Sequence, residues 1–466
     1  MTSGADNLAI GYSALDANTT ASNNLAIGRD ALGNLNHANS VRNIAIGAYS
    51  GDGMGTLDGN FDNVFIGYGS GGGTWTGAAS KGNIGIGTNV MDAAMNTAYY
   101  NTAVGDSALS GLTSGDGNTA IGGSAGKSLT SSDGNTFVGY ETGFYNTGAN
   151  TTYIGHNAGK GASGYANSNN VGIGASAMLI IRTGDENVAV GVEAMKDAQT
   201  AANNVAIGQQ ALQNITSGSS NVAIGKVALD GASVNPSNSV AVGYAASRYA
   251  EGSGNTSLGY SALKGVSGFD GVNNIAIGYE ALDAVTDGEE ANIAIGYGSM
   301  GAVNESASHH ADANIAIGYN SLTGGTLTDG NLSHNIAIGY EALDATGAND
   351  QLGTIAIGYA ALGALTSGDG NVAIGYQTAN LITSGANNIA IGKNVMNQTP
   401  VAATSNVAIG MNAMSGDSDA NGASDYNIAI GHNTMDAALN AASHNTSVGY
   451  SSGSAINEGD YNVCIG

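Results

Sequence analysis

Two neighbouring histidines are the first residues in the sequence whose types and spacing suggest chemistry. His309 and His310 lie in one of the longest insertions between repeats, beside Glu305 and Asp312. Imidazole and carboxylate groups bind metal ions, but a stable site needs three or four convergent groups, and this spacing fits no known motif. We therefore predict a solvated loop here, with a surface metal site as the alternative.

Acidic turns suggest a second kind of metal chemistry, the binding of calcium. The sequence SGDGN occurs at residues 114–118 and 367–371, and TGDEN occurs at residues 183–187. Calcium-binding β-rolls repeat such aspartates in every turn, whereas most repeats of this chain lack them. Because Asp-Gly before a strand is ordinary turn chemistry, we predict no cofactor, with calcium as the weaker alternative.

The single tryptophan suggests sugar binding. Trp75 lies in the glycine-rich segment 67–77, GYGSGGGTWTG, which lacks the G-K-[ST] ending of a phosphate loop. We predict a flexible surface turn that exposes Trp75 beside Tyr68, and two exposed aromatic rings could stack on a sugar of a host cell. The alternative is that such insertions are neutral loops on a passive shaft.

No set of residues in the sequence matches a catalytic centre. Glycoside hydrolysis, for example, needs two carboxylates across the scissile bond, and no such pair stands out. We therefore predict that the protein is not an enzyme, and a polysaccharide-degrading fibre is the enzymatic alternative.

A repeat that runs through the whole chain must position all of these residues. NIAIGYEALDA occurs unchanged at residues 274–284 and 335–345, and its core, an aliphatic residue followed by glycine, occurs 26 times at intervals of 16–22 residues. Repeats of this kind are typical of solenoids, in which each copy forms one coil. The sequence predicts a single elongated domain over residues 1–466, with about 26 coils and no distinct cap, anchor or tip domain.

The repeat core has the period of a β-strand. The residue three before the glycine is always Val, Ile, Leu or Thr, the residue one before it is always Ile, Val or Leu, and a small residue usually stands between them. This alternation puts the aliphatic side chains on one face of a strand and the alanines on the other. We predict an all-β fold, a β-solenoid of the parallel β-helix or β-roll type, with a second short strand and two turns completing each coil.

Asparagine stands four residues before the glycine in 23 of the 26 copies. Stacked Asn side chains hydrogen-bond along a ladder or cap the turn that starts each strand. We predict a structural ladder at this position and no binding site. Its members include Asn204, Asn221, Asn274, Asn292, Asn335 and Asn371.

Tyrosine follows the glycine in eight consecutive coils. Such a row either stacks on sugars or covers the corner of each coil while its hydroxyl groups reach water, and we favour the second. The row consists of Tyr244, Tyr260, Tyr279, Tyr297, Tyr319, Tyr340, Tyr359 and Tyr376.

The alanine column carries no charge in any of the 26 copies. A column of this length that faced water would be expected to collect Lys and Glu. We therefore predict that the alanine face is buried against other chains, because three solenoids around one axis bury one face of each. The predicted assembly is a homotrimer, either intertwined or side by side.

The charge balance excludes one class of partner. The chain has 11 Lys and Arg against 36 Asp and Glu, a net charge of −25. Phosphate binding needs clustered cations, so we predict no nucleic acid partner. The sequence shows no secretory signal and no apolar run long enough to span a bilayer, so we also predict no membrane insertion.

The repeat resembles two known families. The unit NVAIG at residues 204–208, 221–225 and 371–375 resembles the head repeats of YadA-like trimeric autotransporter adhesins, and NTAIGGSAG at residues 118–126 is similar to repeats of phage tail-fibre proteins. The resemblance implies a trimeric β-solenoid shaft that displays or forms a host-binding surface. The chain shows neither a heptad stalk nor a membrane anchor, which favours the fibre.

We therefore predict a non-enzymatic shaft of a viral tail fibre or similar host-attachment appendage, located in the virion or at a cell surface. Its predicted partners are further copies of itself, other virion or appendage proteins at the fibre ends, and a host-cell glycan. The alternatives are a bacterial trimeric adhesin, an extracellular self-assembling filament and an ice-binding solenoid. The last is suggested by four threonines in adjacent coils, which we expect to face inward: Thr102, Thr119, Thr136 and Thr152.

Overall fold

The residues that the structure describes fall into two compact units. Residues up to Lys226 belong largely to unit 1, and residues from Pro236 onward belong to unit 2. The computed structural model describes residues 4–55, 58–75, 79–231, 235–266, 268–286, 288–302, 304–305, 310–324, 326–327, 331–346, 350–398, 402–416 and 424–466.

Unit 1 contains thirteen three-residue strands in its described residues, one for each sequence repeat, together with a 3-10 helix at Asp52–Met54. The strands are β1 (Leu8–Ile10), β2 (Leu25–Ile27), β3 (Ile44–Ile46), β4 (Val64–Ile66), β5 (Ile84–Ile86), β6 (Thr102–Val104), β7 (Thr119–Ile121), β8 (Thr136–Val138), β9 (Thr152–Ile154), β10 (Val171–Ile173), β11 (Val188–Val190), β12 (Val205–Ile207) and β13 (Val222–Ile224).

Unit 2 contains thirteen strands of the same kind and four shorter ones in its described residues. They are β14 (Val240–Val242), β15 (Thr256–Leu258), β16 (Ile275–Ile277), β17 (Ile293–Ile295), β18 (Asn304–Glu305), β19 (Ile315–Ile317), β20 (Thr326–Leu327), β21 (Leu332–Ser333), β22 (Ile336–Ile338), β23 (Gln351–Leu352), β24 (Ile355–Ile357), β25 (Val372–Ile374), β26 (Ile389–Ile391), β27 (Val407–Ile409), β28 (Ile428–Ile430), β29 (Thr446–Val448) and β30 (Val463–Ile465).

Within each unit, every three-residue strand pairs in parallel with the next one along the chain. In a typical pair, Ile275–Ile277 lies opposite Ile293–Ile295 without any offset, so equivalent residues of successive repeats stack on one another. The protein is therefore an all-β parallel β-solenoid, and in its described part it has about 23 turns. This number is slightly lower than the 26 coils that the sequence predicts.

The alanine side of each strand faces the interior of the solenoid and the aliphatic side faces outward, which is the reverse of the prediction. The middle residue of every three-residue strand except β1 and β30 is buried, and Ala276, Ala294 and Ala316 are fully buried within their own chain. The flanking aliphatic residues face outward, and so do Thr102 and the three equivalent threonines. The prediction that the alanine face packs against other chains is wrong. A short coil encloses a narrow interior, and a small residue at the strand centre leaves room there for the Leu and Met side chains of the same coil.

Three bulky residues replace alanine at the strand centre and remain inside the fold. Phe65, Phe137 and Tyr153 are fully buried, and the Tyr153 hydroxyl group donates a hydrogen bond to Asn167 Oδ1 at 2.6 Å. In each of these coils the residue four after the motif glycine is also glycine, whereas most other coils have Leu or Met there. A Cβ atom at Gly159 would collide with the Tyr153 ring. In these coils, a large residue at the strand centre is compensated by glycine four residues after the motif glycine, so the volume of the core changes little.

In most coils, the described residues outside the three-residue strand form a series of tight turns in place of the predicted second strand. Glu280 (φ 50°) and Leu282 (φ 51°) show the usual pattern, in which the residues two and four after the glycine are left-handed. Glu280 N donates to Tyr260 O at 2.9 Å, and Leu282 N donates to Ser299 O at 2.9 Å. These bonds to adjacent coils offset a strain of about 1–2 kcal/mol for each such residue. Among the described residues, second strands pair only where β18 meets β20 and where β21 meets β23.

Candidate functional surface

Trp75 lies inside the solenoid and not on its surface, so the prediction of an exposed tryptophan is wrong. Its side chain is 4% exposed and packs edge-on against Phe65, with the ring centroids 5.9 Å apart. Trp75 stands eight residues after Gly67, in a core column that also contains Met54 and Met95. The repeat register of this column was the signal that the sequence analysis missed.

The other predicted surface residues do not join Trp75 in a sugar-binding pair. Tyr68 is 57% exposed, and its ring makes an edge contact with Tyr49, with centroids 5.8 Å apart. His310 is exposed, and His309 lies outside the described residues. In the part of the chain that the structure describes, no three His, Cys, Asp or Glu side chains come close enough to share a metal ion.

The asparagine column forms a buried hydrogen-bond ladder. Asn292 N and Nδ2 both donate to Asn274 Oδ1, at 2.9 and 3.2 Å. Asn292 Oδ1 accepts from N and Nδ2 of Asn314, at 3.0 and 3.1 Å, and Asn292 Nδ2 also donates to Ala311 O at 2.6 Å. Every polar atom of this buried side chain therefore has a partner in an adjacent coil. The same kind of bond is made by Asn204 and Asn221 in unit 1 and by Asn274, Asn335 and Asn371 in unit 2.

We expect Asn292→Ala to destabilise the neighbouring coils by about 1–3 kcal/mol, because it leaves buried donors of Asn314 and the Ala311 carbonyl group without partners. The loss should stay local, since each coil of a solenoid contacts only its neighbours. Hydrogen exchange of the amides in these coils measures it. Asn440→Ala is the matched control because Asn440 is exposed, and equal losses for both variants would show that the ladder has no special role.

The tyrosine row forms a continuous stack on the surface of unit 2. Adjacent ring centroids are 5.0–5.3 Å apart, and adjacent ring planes differ by only 4–12°. Each ring is 42–48% exposed, but the ring faces cover one another, so solvent reaches mainly edges and hydroxyl groups. This geometry favours the covering role over sugar stacking, which needs free ring faces. The stack runs through Tyr244, Tyr260, Tyr279, Tyr297, Tyr319, Tyr340, Tyr359 and Tyr376.

Each copy of NIAIGYEALDA carries two carboxylates close to this stack. Burial, and secondly repulsion from Glu280, raises the pKa of Asp283 to about 6. Asp344 has the same surroundings beside Glu341, and its pKa is also raised to about 6. Glu280 accepts a hydrogen bond from Tyr279, which raises the pKa of that hydroxyl group. The sequence analysis did not identify these pairs.

We expect the stability of unit 2 to fall as the pH rises from about 4 to about 6. A carboxyl group whose pKa is higher in the folded than in the unfolded chain contributes its full stability below its ordinary pKa of 3.8 and loses it as the pH passes 6. Because Asp283 is about half buried, solvent screening limits the effect to about 1 kcal/mol.

Denaturant unfolding of Asp283→Asn measures this dependence. The variant should be more stable than the wild type at pH 8 and should show no gain near pH 4. Asp436→Asn is the matched control, because Asp436 stands at the same repeat position but has Asn433, and no glutamate, three residues before it. A wild-type stability that does not change between pH 4 and pH 8 would contradict the prediction.

The acidic turns use their carboxylates to hold the backbone. Asp116 Oδ1 accepts from Tyr99 N at 2.7 Å, and Asp369 Oδ1 accepts from Leu352 N at 2.8 Å. Asp185 Oδ1 makes the same kind of contact with a backbone N–H group one coil earlier. Turn structure therefore accounts for these aspartates, and the absence of a cofactor, with calcium as the weaker alternative, remains a prediction.

The side chains on the outer side of the strands form an uncharged surface in each unit, and most of them are aliphatic. It consists of the residues one and three before each motif glycine, and none of these residues is charged in any repeat. We call it the aliphatic face. Its members that are more than a third exposed include Ile84, Ile86, Ile121, Ile154, Ile173, Ile207 and Ile224 in unit 1, and Val240, Leu258, Ile374, Ile389, Ile428, Ile430 and Val448 in unit 2.

The fold and the repeats define the chain as a parallel β-solenoid with an uncharged outer sheet face. No protein-family model matches the chain, and no curated protein matches it. Among its described residues, no helix is long and apolar enough to cross a membrane.

Proposed function

We propose that the protein is the shaft of a viral tail fibre or a similar host-attachment appendage, assembled as a homotrimer through its aliphatic face. The observation that carries this proposal is the aliphatic face itself. Soluble monomers rarely expose a contiguous apolar surface of more than a few hundred Å². A face that stays uncharged through 26 repeats of a chain with a net charge of −25 is the expected property of a buried interface.

The size of the face supports a stable assembly. Two side chains per repeat, most of them aliphatic and the rest threonine, are partly exposed over the thirteen repeats of one unit. Together they amount to on the order of 1,000 Å² of apolar surface. A stable interface buries about 800 Å² on each partner, so either unit offers enough surface by itself. Because each strand already pairs with strands of its own chain, side-by-side packing fits better than an intertwined trimer.

A trimer with threefold symmetry is a closed assembly in which each chain buries one face. Three copies with their aliphatic faces toward a common axis bury those faces and leave the charged turns in water. Closure also limits the assembly to a defined number of chains. A non-enzymatic structural role is consistent with this arrangement, as is a location in a virion or at a cell surface.

Sedimentation equilibrium at micromolar concentration tests the assembly, and we expect a trimer that resists dilution. A stable monomer would refute the proposed interface. Electron microscopy of the particle or cell from which the chain comes tests the role, because labelled antibody should mark a shaft between the particle body and the fibre tip. Labelling of a bacterial outer surface would instead favour the trimeric adhesin.

A further inference from the structure

We propose that a groove on unit 1 binds a sugar residue that carries a carboxylate, an inference that rests on the host-attachment function proposed above. The groove has a volume of about 500 Å³, which lies within the usual range for small-ligand sites. It crosses four consecutive coils, and its lining includes Asn39, Arg42, Phe61, Lys81 and Tyr99.

Lys81 supplies the positive charge that the groove offers to a ligand. Its Nζ atom lies 5.6 Å from the ring centroid of Phe61, 5.1 Å from that of Tyr99 and 5.9 Å from that of Tyr100. Such cation–π contacts hold the ammonium group in place and leave its charge uncompensated. Among the described residues, Lys81 forms no ion pair.

The second cation of the groove has a different role. Arg42 Nε donates to Asp62 Oδ1 at 2.6 Å, and Arg42 Nη2 donates to Asp62 Oδ2 at 3.0 Å. This two-pronged pair compensates the guanidinium charge, and Arg42 also lies over the Phe61 ring, 5.7 Å from its centroid. Arg42 therefore forms a wall of the groove, and Lys81 is the cation left for an anionic ligand.

An acceptor for sugar hydroxyl groups lies in the same groove. The side chain of Asp58 is 69% exposed, so a ligand can reach it. Asn39 Nδ2 donates to Asp58 Oδ1 at 2.7 Å, and His37 Nδ1 lies 3.2 Å from the same oxygen, which together orient the carboxylate.

The backbone holds the groove in one shape before any ligand arrives. Parallel β-bridges join Phe61 to Lys81 and Lys81 to Tyr99, so these three side chains stand one above another in successive coils. Gly82, beside Lys81, lets the Tyr100 ring lie close, because a Cβ atom at Gly82 would be 2.7 Å from that ring. A rigid site loses little conformational entropy on binding.

The charge pattern selects an acidic sugar over other anions. A chain with a net charge of −25 repels polyanions, and one uncompensated lysine cannot neutralise a row of phosphates. A sugar with a single carboxylate brings one negative charge to Lys81, hydroxyl groups to Asp58 and Asn39, and apolar C–H groups to the exposed parts of the aromatic rings. Its single charge matches the single cation that the groove leaves unpaired.

Saturation-transfer NMR with 3′-sialyllactose tests the proposal, with lactose as the neutral probe. We expect the wild type to bind 3′-sialyllactose and to bind lactose at least tenfold more weakly, because a charge-assisted hydrogen bond is lost. Added salt should weaken the binding of the acidic sugar. Equal binding of both sugars, or binding of neither, would overturn the proposal.

Lys81→Met and Lys81→Gln identify the cation, and both should reduce the affinity for 3′-sialyllactose at least tenfold while circular dichroism remains that of the wild type. Lys393→Met is the matched control, because Lys393 lies 5.7 Å from the Tyr376 ring centroid and outside the groove. Retained binding by both Lys81 variants would overturn the proposal. The sedimentation test above is independent of the groove, so failure of sugar binding and failure of the shaft assembly can be told apart.

Discussion

Ala373→Glu should unfold the coils around β25, whereas Ile374→Glu, one residue later, should leave the fold intact and weaken assembly. Ala373 is 1% exposed and points into the solenoid. An unpaired carboxylate there costs several kcal/mol, and the narrow core has no space for the larger side chain. Circular dichroism and resistance to limited proteolysis measure the loss of structure.

Ile374→Glu is both the matched control and the test of the aliphatic face. Ile374 is 37% exposed, so a glutamate at this position can reach water in a single chain. In the proposed trimer it would bring three carboxylates toward one axis, which cannot be paired. We expect a folded protein whose trimer dissociates at a higher protein concentration than the wild-type trimer does, because the aliphatic face of unit 1 is unchanged. A trimer of unchanged stability would mean that the chains meet at another surface.

Gly278→Ala should destabilise unit 2 by about 3 kcal/mol or more, because two separate effects act on the same residue. Gly278 has φ 135°, a conformation that residues with a Cβ atom rarely adopt. An added Cβ atom would also collide with the carbonyl oxygen of Gly296 in the next coil. The backbone of that coil would have to move, and the parallel pairing of β16 with β17 would weaken.

Gly353→Ala separates these two effects. Gly353 also has a positive φ of 64°, but a Cβ atom there would meet nothing within 4 Å. The backbone of Gly353 lies in the left-handed region that other residues tolerate, so we expect Gly353→Ala to lower the free energy of unfolding by about 1 kcal/mol. Denaturant unfolding, followed by hydrogen exchange to locate the loss, compares the two variants. Equal costs would show that the contact between successive glycines is unimportant.

The sequence by itself determined the features that depend on local pattern and on repetition. The alternation before each glycine marks a strand wherever it occurs, as at Ile275–Ile277, since side chains of a strand point alternately to its two faces. Repetition of the strand core stacks equivalent residues, and this is why the asparagine column and the tyrosine row were predictable as ladders.

Only the tertiary structure decided which strand face is inside. Both faces are uncharged, so the alternation alone could not distinguish an interior of alanines from an interior of isoleucines. The width of the coil decides between them, and the Leu, Met and Trp75 side chains that fill it leave space only for a small residue at most strand centres.

The groove likewise depends on the folded chain. Arg42, Phe61, Lys81 and Tyr99 come from four different repeats and lie outside the repeated core, where the sequence varies freely. Phe61, Lys81 and Tyr99 each stand six residues before a motif glycine, so the repeat register indicates that they stack, but nothing in the sequence indicates that their side chains line a groove. The stacking of the coils brings the four side chains together, since each coil aligns its backbone with its neighbours wherever the inserted residues lie.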